Sequence, residues 1–150
     1  MSGSGAGAGD TMFDAKAALA RLAREMAEPP FHNLLKPHPV SLYADGTVVV
    51  RLPFRPEFCR GRESLFYHGG VLASLADITA HAAIALQVGR MVPTIDLRID
   101  YLRAAPAVDL LATGRILIVG RSVGRADVEI VATDGKIVAV ARGAFSTREN

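Results

Sequence analysis

The feature that most constrains this chain of 150 residues is the apolar segment at residues 69–88, which reads GGVLASLADITAHAAIALQV. When it is wound as an α-helix of about 3.6 residues per turn, its apolar side chains point in nearly every direction. A helix of that kind has to be enclosed by the rest of the protein. The segment also contains Asp77 and His81, which disfavour a membrane span. We therefore predict one long central helix that ends near Gly89.

The regions on either side of this helix predict a sheet. Residues 11–26 have the apolar periodicity of a first helix, and residues 53–66 lack periodicity and are predicted to be a loop. Strands are expected at about residues 40–43, 47–52, 94–101, 108–119, 125–132 and 136–146. Because helices and strands do not alternate strictly, we predict an α+β fold with an antiparallel six-stranded sheet wrapped around the central helix.

Polar and apolar residues alternate in the strand at residues 94–101, TIDLRIDY. Strict alternation sends Ile95, Leu97, Ile99 and Tyr101 to one face of the sheet, and Thr94, Asp96, Arg98 and Asp100 to the other. This pattern puts Thr94 and Tyr101 on opposite faces.

Length and composition indicate the general class of protein. The length is that of a single domain, which we place at residues 11–150 after a disordered tail at residues 1–10, MSGSGAGAGD. That tail lacks the basic and apolar regions of a secretory signal, so we expect a cytoplasmic protein. The net charge of +2 is scattered along the chain, which disfavours a nucleic-acid partner. The single cysteine, Cys59, excludes an internal disulfide.

The predicted central helix carries one polar seam. Gly70, Ser74, Asp77 and His81 are spaced four, three and four residues apart, which places them on one helix face. One interpretation is structural: Ser74 bonds back to a backbone carbonyl, and Asp77 pairs with His81. The other interpretation is functional: burying a carboxylate costs free energy unless the group is paired, so its presence in this helix favours a functional role. A hydrolytic triad within this helix is excluded, since Ser74 and His81 would stand roughly 10 Å apart along its axis.

The two glycines at the start of the helix suggest a site for an oxyanion. The first amides of a helix have no partner within it, and glycine lets a ligand approach them closely. Such amides can bind a developing oxyanion. Asp77 lies roughly 10 Å further along the helix than Gly70. If both ends act on one carbonyl, Asp77 should come from a second copy of the chain, in a two-fold dimer with antiparallel helices.

Four stretches carry a resemblance to a known family. They are HGGVLASLAD at residues 68–77, TIDLRIDYLRAA at 94–105, GRS at 120–122 and DGKIVAVARGAF at 134–145. With these stretches, residues 38–147 resemble the hotdog-fold acyl-CoA thioesterases of the phenylacetate-pathway (PaaI-like) type. The resemblance implies a long helix wrapped by an antiparallel sheet, dimers that often pair into tetramers, and an active site between two protomers.

The resemblance also implies roles for individual residues. Asp77 would be the general base or nucleophile, and the Gly69 amide would polarise the thioester carbonyl, with Gly70 as a second donor. His68 would orient the thioester, and Thr94 would assist the attacking water. For His68 and Thr94, a cap of the loop and an ordinary strand residue are the respective structural alternatives.

Substrate binding is implied for three further residues. Arg121 and Ser122 lie in the turn that commonly contacts the nucleotide part of coenzyme A, although Arg121 could equally be a solvated charge. The family usually has Asn or Gln six positions before the histidine, where this chain has Arg62. Arg62 either binds an anionic group on the acyl chain or lies on the surface, and the surface interpretation is slightly favoured.

These patterns predict a homo-oligomeric acyl-CoA thioesterase whose substrate contains coenzyme A and which uses no other cofactor. The four histidines and the lone cysteine lack metal-ligand spacing, so no metal is expected. Neither a membrane nor a nucleic acid is an expected partner. Because Arg62 departs from the family pattern, a non-catalytic acyl-CoA-binding protein is the alternative. A dehydratase of the same fold is disfavoured by the spacing of histidine and aspartate.

Overall fold

The computed structural model of the protein describes residues 12–149. The tail predicted at residues 1–10 lies outside the described residues. The helices are α1 (Ala15–Ala27), α2 (His32–Leu35) and α3 (Gly69–Val88). The strands are β1 (His38–Leu42), β2 (Val48–Leu52), β3 (Thr94–Tyr101), β4 (Leu110–Val119), β5 (Val123–Ala132) and β6 (Ile137–Ser146).

All six strands form one antiparallel sheet in the order β1-β2-β4-β5-β6-β3. The predicted α+β architecture is therefore confirmed. The turns between β1 and β2 and between β5 and β6 contain Gly46 and Gly135, which adopt the left-handed backbone that glycine favours. The short helix α2 and a single 3₁₀ turn at Pro56–Phe58 were not predicted. Strand β3 lies at one edge of the sheet with one hydrogen-bonded neighbour, β6.

Helix α3 is the centre of the core. Ten of its residues are buried, because it packs against β4, β5 and β6 on one side and contacts α1 on another. Helix and sheet approach closely at glycines: a Cβ atom at Gly114 would stand 3.0 Å from the Thr79 carbonyl oxygen. By length and composition α3 could cross a membrane, but 56% of the apolar stretch is buried inside the fold.

Helix α1 closes the open side of the core. It begins at Ala15, later than predicted, because the Asp14 carboxylate accepts hydrogen bonds of 3.0 Å from the amides of Lys16 and Ala17. Its buried face includes Leu22 and Met26. This cap fixes the start of α1. The same helix carries Glu25, which contacts His81 of the polar seam of α3.

Candidate active site

Asp77 lies on the side of α3 that faces the edge strand β3. Its Oδ1 accepts a hydrogen bond of 3.0 Å from the Thr94 hydroxyl, and its side chain is only partly exposed. Asp77 does not pair with His81, so the structural interpretation of the polar seam is wrong for this pair. Among the described residues, Thr94 is the only side chain that donates to the Asp77 carboxylate. A hydrogen bond thus holds Oδ1 of that carboxylate, whereas Oδ2 has no protein donor among residues 12–149.

A bulge in β3 explains how Thr94 reaches the helix. Thr94 pairs with Phe145 and Asp96 pairs with Ala144, so Ile95 is an extra residue in the ladder. This insertion shifts the alternation by one position. Thr94 and Tyr101 therefore both contact α3, although strict alternation put them on opposite faces. The predicted facing of Thr94 is corrected accordingly.

The start of α3 has one committed amide and one free amide. His68 is the N-cap, and its Nδ1 accepts a hydrogen bond of 2.9 Å from the Gly70 amide. Gly70 is therefore already occupied as a donor, which corrects its predicted role as a second donor to the thioester carbonyl. The Gly69 amide has no acceptor among residues 12–149. It remains the one available donor at this end, as an oxyanion site requires.

Tyr101, at the other end of β3, contacts the same helix start. Its hydroxyl donates a hydrogen bond of 2.9 Å to the Gly69 carbonyl oxygen. Atoms of its ring lie 3.4 Å from the position that a Cβ of Gly69 would take. No signal in the sequence pointed to a role for Tyr101, since alternation indicated only which face of the strand it shares with Ile99.

The segment before His68 is firmly anchored. The Tyr67 amide donates to the Ala105 carbonyl oxygen, and its hydroxyl donates to that of Val108 at 2.9 Å. Burial, and then the charge of Asp109, raise the pKa of Tyr67 well above its ordinary value. The phenol thus stays protonated and remains a donor, so the loop is held directly in front of the helix start.

The rest of the polar seam serves the packing of α3. The Ser74 hydroxyl donates to the Gly70 carbonyl oxygen at 2.9 Å, which confirms the structural interpretation for that residue. His81 turns toward α1, with its Nδ1 at 3.0 Å from Glu25 Oε1. Its Nε2 accepts a hydrogen bond of 3.4 Å from the Val92 amide. His81 therefore links α1 to the segment that leads into β3.

A cleft of about 360 Å³ adjoins Gly69. Its lining includes the side chains of Leu72 and Tyr101 and two arginines, Arg60 and Arg103. Arg62, for which binding of an anionic acyl group was one of two interpretations, does not line this cleft; it is exposed and makes no hydrogen bond or ion pair with a described residue. The position of Arg62 thus agrees with its interpretation as a surface residue, while Arg60 lies closer to the helix start.

A second cleft, of about 580 Å³, lies at the opposite end of α3. Arg121 and Ser122 line it, as do Arg90 and Arg148. Arg90 and Arg148 could not be identified from the sequence, because they follow other elements and only the fold brings them to the GRS turn. One carboxylate, that of Glu149, also lines the cleft, but three guanidinium groups outnumber it and make the cleft suitable for phosphate groups. Within residues 12–149, no group of three or more His, Cys, Asp or Glu side chains has a metal-binding arrangement.

Comparisons with known proteins agree with these features. The model of the thioesterase superfamily matches residues 66–139. A Halobacterium salinarum protein named as a candidate esterase is 32% identical over 90% of this chain and 95% of its own. The acyl-coenzyme A thioesterase PaaI of Escherichia coli is 37% identical over 66% of this chain and 69% of its own.

Solved structures are similar over most of the chain. The E. coli PaaI protein, from the phenylacetic acid degradation operon, superposes with a TM-score of 0.78 at 28% identity, covering 91% of this chain and 96% of that one. Zebrafish thioesterase superfamily member 2 gives a TM-score of 0.75 at 27% identity, covering 90% and 99%. The sheet, the long helix and the helix start thus have counterparts of known structure.

Proposed function

The chain belongs to the thioesterase superfamily, with the PaaI-like hotdog fold, and we propose that it hydrolyses an acyl-CoA thioester to the free acid and coenzyme A. The observation that carries this proposal is the pair of contacts at the two ends of β3. Thr94 holds the Asp77 carboxylate, and Tyr101 contacts Gly69, whose amide is unoccupied. A partly exposed carboxylate can act as base or nucleophile in thioester hydrolysis, and a free amide can bind the oxyanion.

One chain does not bring these two groups together. Gly69 and Asp77 are eight residues apart on one straight helix, which corresponds to about 12 Å along its axis. Because β3 is an edge strand, its free edge could pair with a second copy of the chain, which would bring the two groups together. If two copies pair through β3 in antiparallel fashion, the Thr94 end of one strand meets the Tyr101 end of the other. Asp77 of each protomer would then face Gly69 of its partner, and the homodimer would contain two shared sites.

The reaction follows from these positions. The Gly69 amide of one protomer would donate a hydrogen bond to the thioester oxygen as negative charge develops there. Asp77 of the other protomer would take a proton from the attacking water, or attack the carbonyl carbon itself. Thr94 would orient the carboxylate and the water. The thiolate of coenzyme A leaves with a proton. When water attacks, the acid is released directly; when Asp77 attacks, water then hydrolyses the anhydride formed with Asp77, which releases the acid and restores the carboxylate.

The second cleft, which Arg121 and Ser122 line, suits the nucleotide end of coenzyme A. Val88 lines this cleft and lies 11 residues beyond Asp77, or about 16 Å along the helix axis. An extended pantetheine arm bridges a comparable distance. We propose that Arg121, with Ser122, Arg90 and Arg148, binds phosphate groups of coenzyme A on the protomer that supplies Asp77. Coenzyme A would thus be part of the substrate, and no separate cofactor takes part.

The test is the release of thiol from a panel of aryl, short, long and dicarboxylic acyl-CoAs, followed with a thiol-reactive dye. Wild type and Asp77→Asn are compared with Asp134→Asn, a matched control in the exposed turn between β5 and β6, away from the edge strand. We expect turnover of at least one substrate by wild type and control, and almost none by Asp77→Asn. Tight binding of acyl-CoA by calorimetry without any turnover would instead favour the non-catalytic acyl-CoA-binding protein.

A further inference from the structure

Tyr101 and His68 hold the same peptide unit from opposite ends. The unit joins Gly69 to Gly70: its carbonyl oxygen accepts from the Tyr101 hydroxyl at 2.9 Å, and its amide donates to His68 Nδ1 at 2.9 Å. We propose that Tyr101 is a positioning residue that keeps the neighbouring Gly69 amide aimed at the thioester oxygen. This inference rests on the proposed function, because it assigns the Gly69 amide to the oxyanion.

The helix start needs such a restraint. Two consecutive glycines have wide conformational freedom, and the first amides of a helix have no acceptor within it. An oxyanion donor is effective only when it is oriented before the charge develops. With the Gly69–Gly70 peptide fixed on both sides, rotation about the Gly69 backbone is limited, and the direction of the Gly69 amide is limited with it.

The contact acts through orientation and not through polarisation. Tyr101 bonds the carbonyl of Gly69, whereas the amide assigned to the thioester belongs to the preceding peptide, between His68 and Gly69. Its ring also lies against the open side of Gly69, at 3.4 Å from the position of a Cβ atom. Loss of the hydroxyl should therefore loosen the donor without removing it, and the ring would stay in place.

Tyr101 also couples the two halves of a shared site. Strand β3 carries Thr94 at one end and Tyr101 at the other, and each hydroxyl reaches α3. Because of the bulge at Ile95, both side chains leave the same strand toward the same helix. Strand β3 thus fixes the distance between two groups of its own protomer: the Asp77 carboxylate, which serves one shared site, and the Gly69 amide, which serves the other.

The test replaces only the hydroxyl, in Tyr101→Phe. Tyr43→Phe is the matched control, since Tyr43 is 54% exposed against 52% for Tyr101 and its hydroxyl has no bond with a described residue. We expect kcat of Tyr101→Phe to fall by about 10-fold, less than the 10²–10³ that follows loss of a whole oxyanion donor. KM and the affinity for a non-hydrolysable acyl-CoA analogue should stay unchanged, and Tyr43→Phe should match wild type.

A second measurement reports the peptide directly. In ¹H–¹⁵N spectra, the Gly70 amide belongs to the peptide that Tyr101 bonds, so Tyr101→Phe should shift its resonance while Tyr43→Phe should not. Two results would overturn the role of Tyr101 and leave the proposed function standing: an unchanged Gly70 resonance in Tyr101→Phe, or an active wild type whose kcat Tyr101→Phe equals. So would a raised KM at constant kcat, which would make Tyr101 a binding residue. A wild type that cleaves no acyl-CoA overturns the proposed function, and the catalytic role of Tyr101 with it.

Discussion

The Thr94 hydroxyl donates a hydrogen bond of 3.0 Å to Oδ1 of Asp77 and thereby ties the edge strand of the sheet to the buried helix. The contact joins residues 17 positions apart in the sequence. It depends on the bulge at Ile95, which turns Thr94 toward the helix. Strand β3 is thus both the edge on which a second chain could pair and the element that orients the carboxylate.

The first prediction concerns this hydrogen bond. Thr94→Val keeps the side-chain shape and removes the donor, so the Asp77 carboxylate loses its orientation. Since a hydrogen bond to a charged group contributes about 1.5–3 kcal/mol, we expect kcat for acyl-CoA to fall by about 10- to 100-fold. Thr133→Val, in the exposed turn after β5, is the control and should keep full activity. The measurement is kcat in steady-state kinetics. Equal values for wild type, Thr94→Val and Thr133→Val would show that Thr94 has no part in catalysis.

The second prediction concerns the shared site. Asp77→Ala and Gly69→Ala should each be nearly inactive, the latter because a methyl group next to the free amide hinders the close approach of a ligand that glycine allows. In random hybrids half of the dimers are mixed, and each mixed dimer has one intact site, so activity should recover to about a quarter of the wild-type value. The hybrids can be verified with two affinity tags on the two variants. Verified hybrids without activity would contradict a site built from two protomers.

The third prediction concerns the cleft at the end of α3. Arg121→Gln should raise KM for acyl-CoA by about 5-fold, as expected for loss of one exposed ion pair of about 1 kcal/mol, with little change in kcat. An acyl-pantetheine thioester, which lacks the nucleotide, should be cleaved equally by variant and wild type. Arg125→Gln, which does not line the cleft, serves as the control. Equal KM values for acyl-CoA in all three proteins would exclude Arg121 from nucleotide binding.

The fourth prediction concerns Arg62. Because Arg62 is exposed and lies outside the cleft beside Gly69, Arg62→Asn should leave the preference between succinyl-CoA and butyryl-CoA unchanged. The two acyl groups have the same number of carbons and differ in the terminal carboxylate. The ratio of kcat/KM values for the two substrates is the measurement. A selective loss of succinyl-CoA turnover would show that Arg62 binds an anionic acyl group after all.

The fifth prediction concerns the packing of helix against sheet. A Cβ at Gly114 would stand 3.0 Å from the Thr79 carbonyl oxygen and from a methyl group of Val48, and the helix backbone cannot move aside freely. Gly114→Ala should therefore destabilise the protein by about 1–3 kcal/mol in urea unfolding. Gly61→Ala is the control, because its Cβ would lie 3.8 Å from the nearest side-chain atom. Equal unfolding midpoints would show that the sheet can yield at this point.

Much of the fold was predictable because the relevant signals are local. The apolar segment at residues 69–88 predicts a buried helix wherever it lies, and α3 has those bounds. The start of α1 was misplaced because Asp14, and not an earlier residue, forms the cap. Face assignment in β3 failed at one position, since a bulge depends on the ladder formed with β6 and leaves no trace in the alternation of residues 94–101.

Which groups the helix carries follows from the order of residues alone: a histidine and two glycines stand at its start, and Asp77 and His81 lie further along one face. Tertiary structure alone decided their partners. Asp77 bonds Thr94 and His81 meets Glu25, although the two helical neighbours could have paired with each other. Helical spacing fixes only which side chains share a face, whereas a partner also depends on what the sheet and α1 bring against that face.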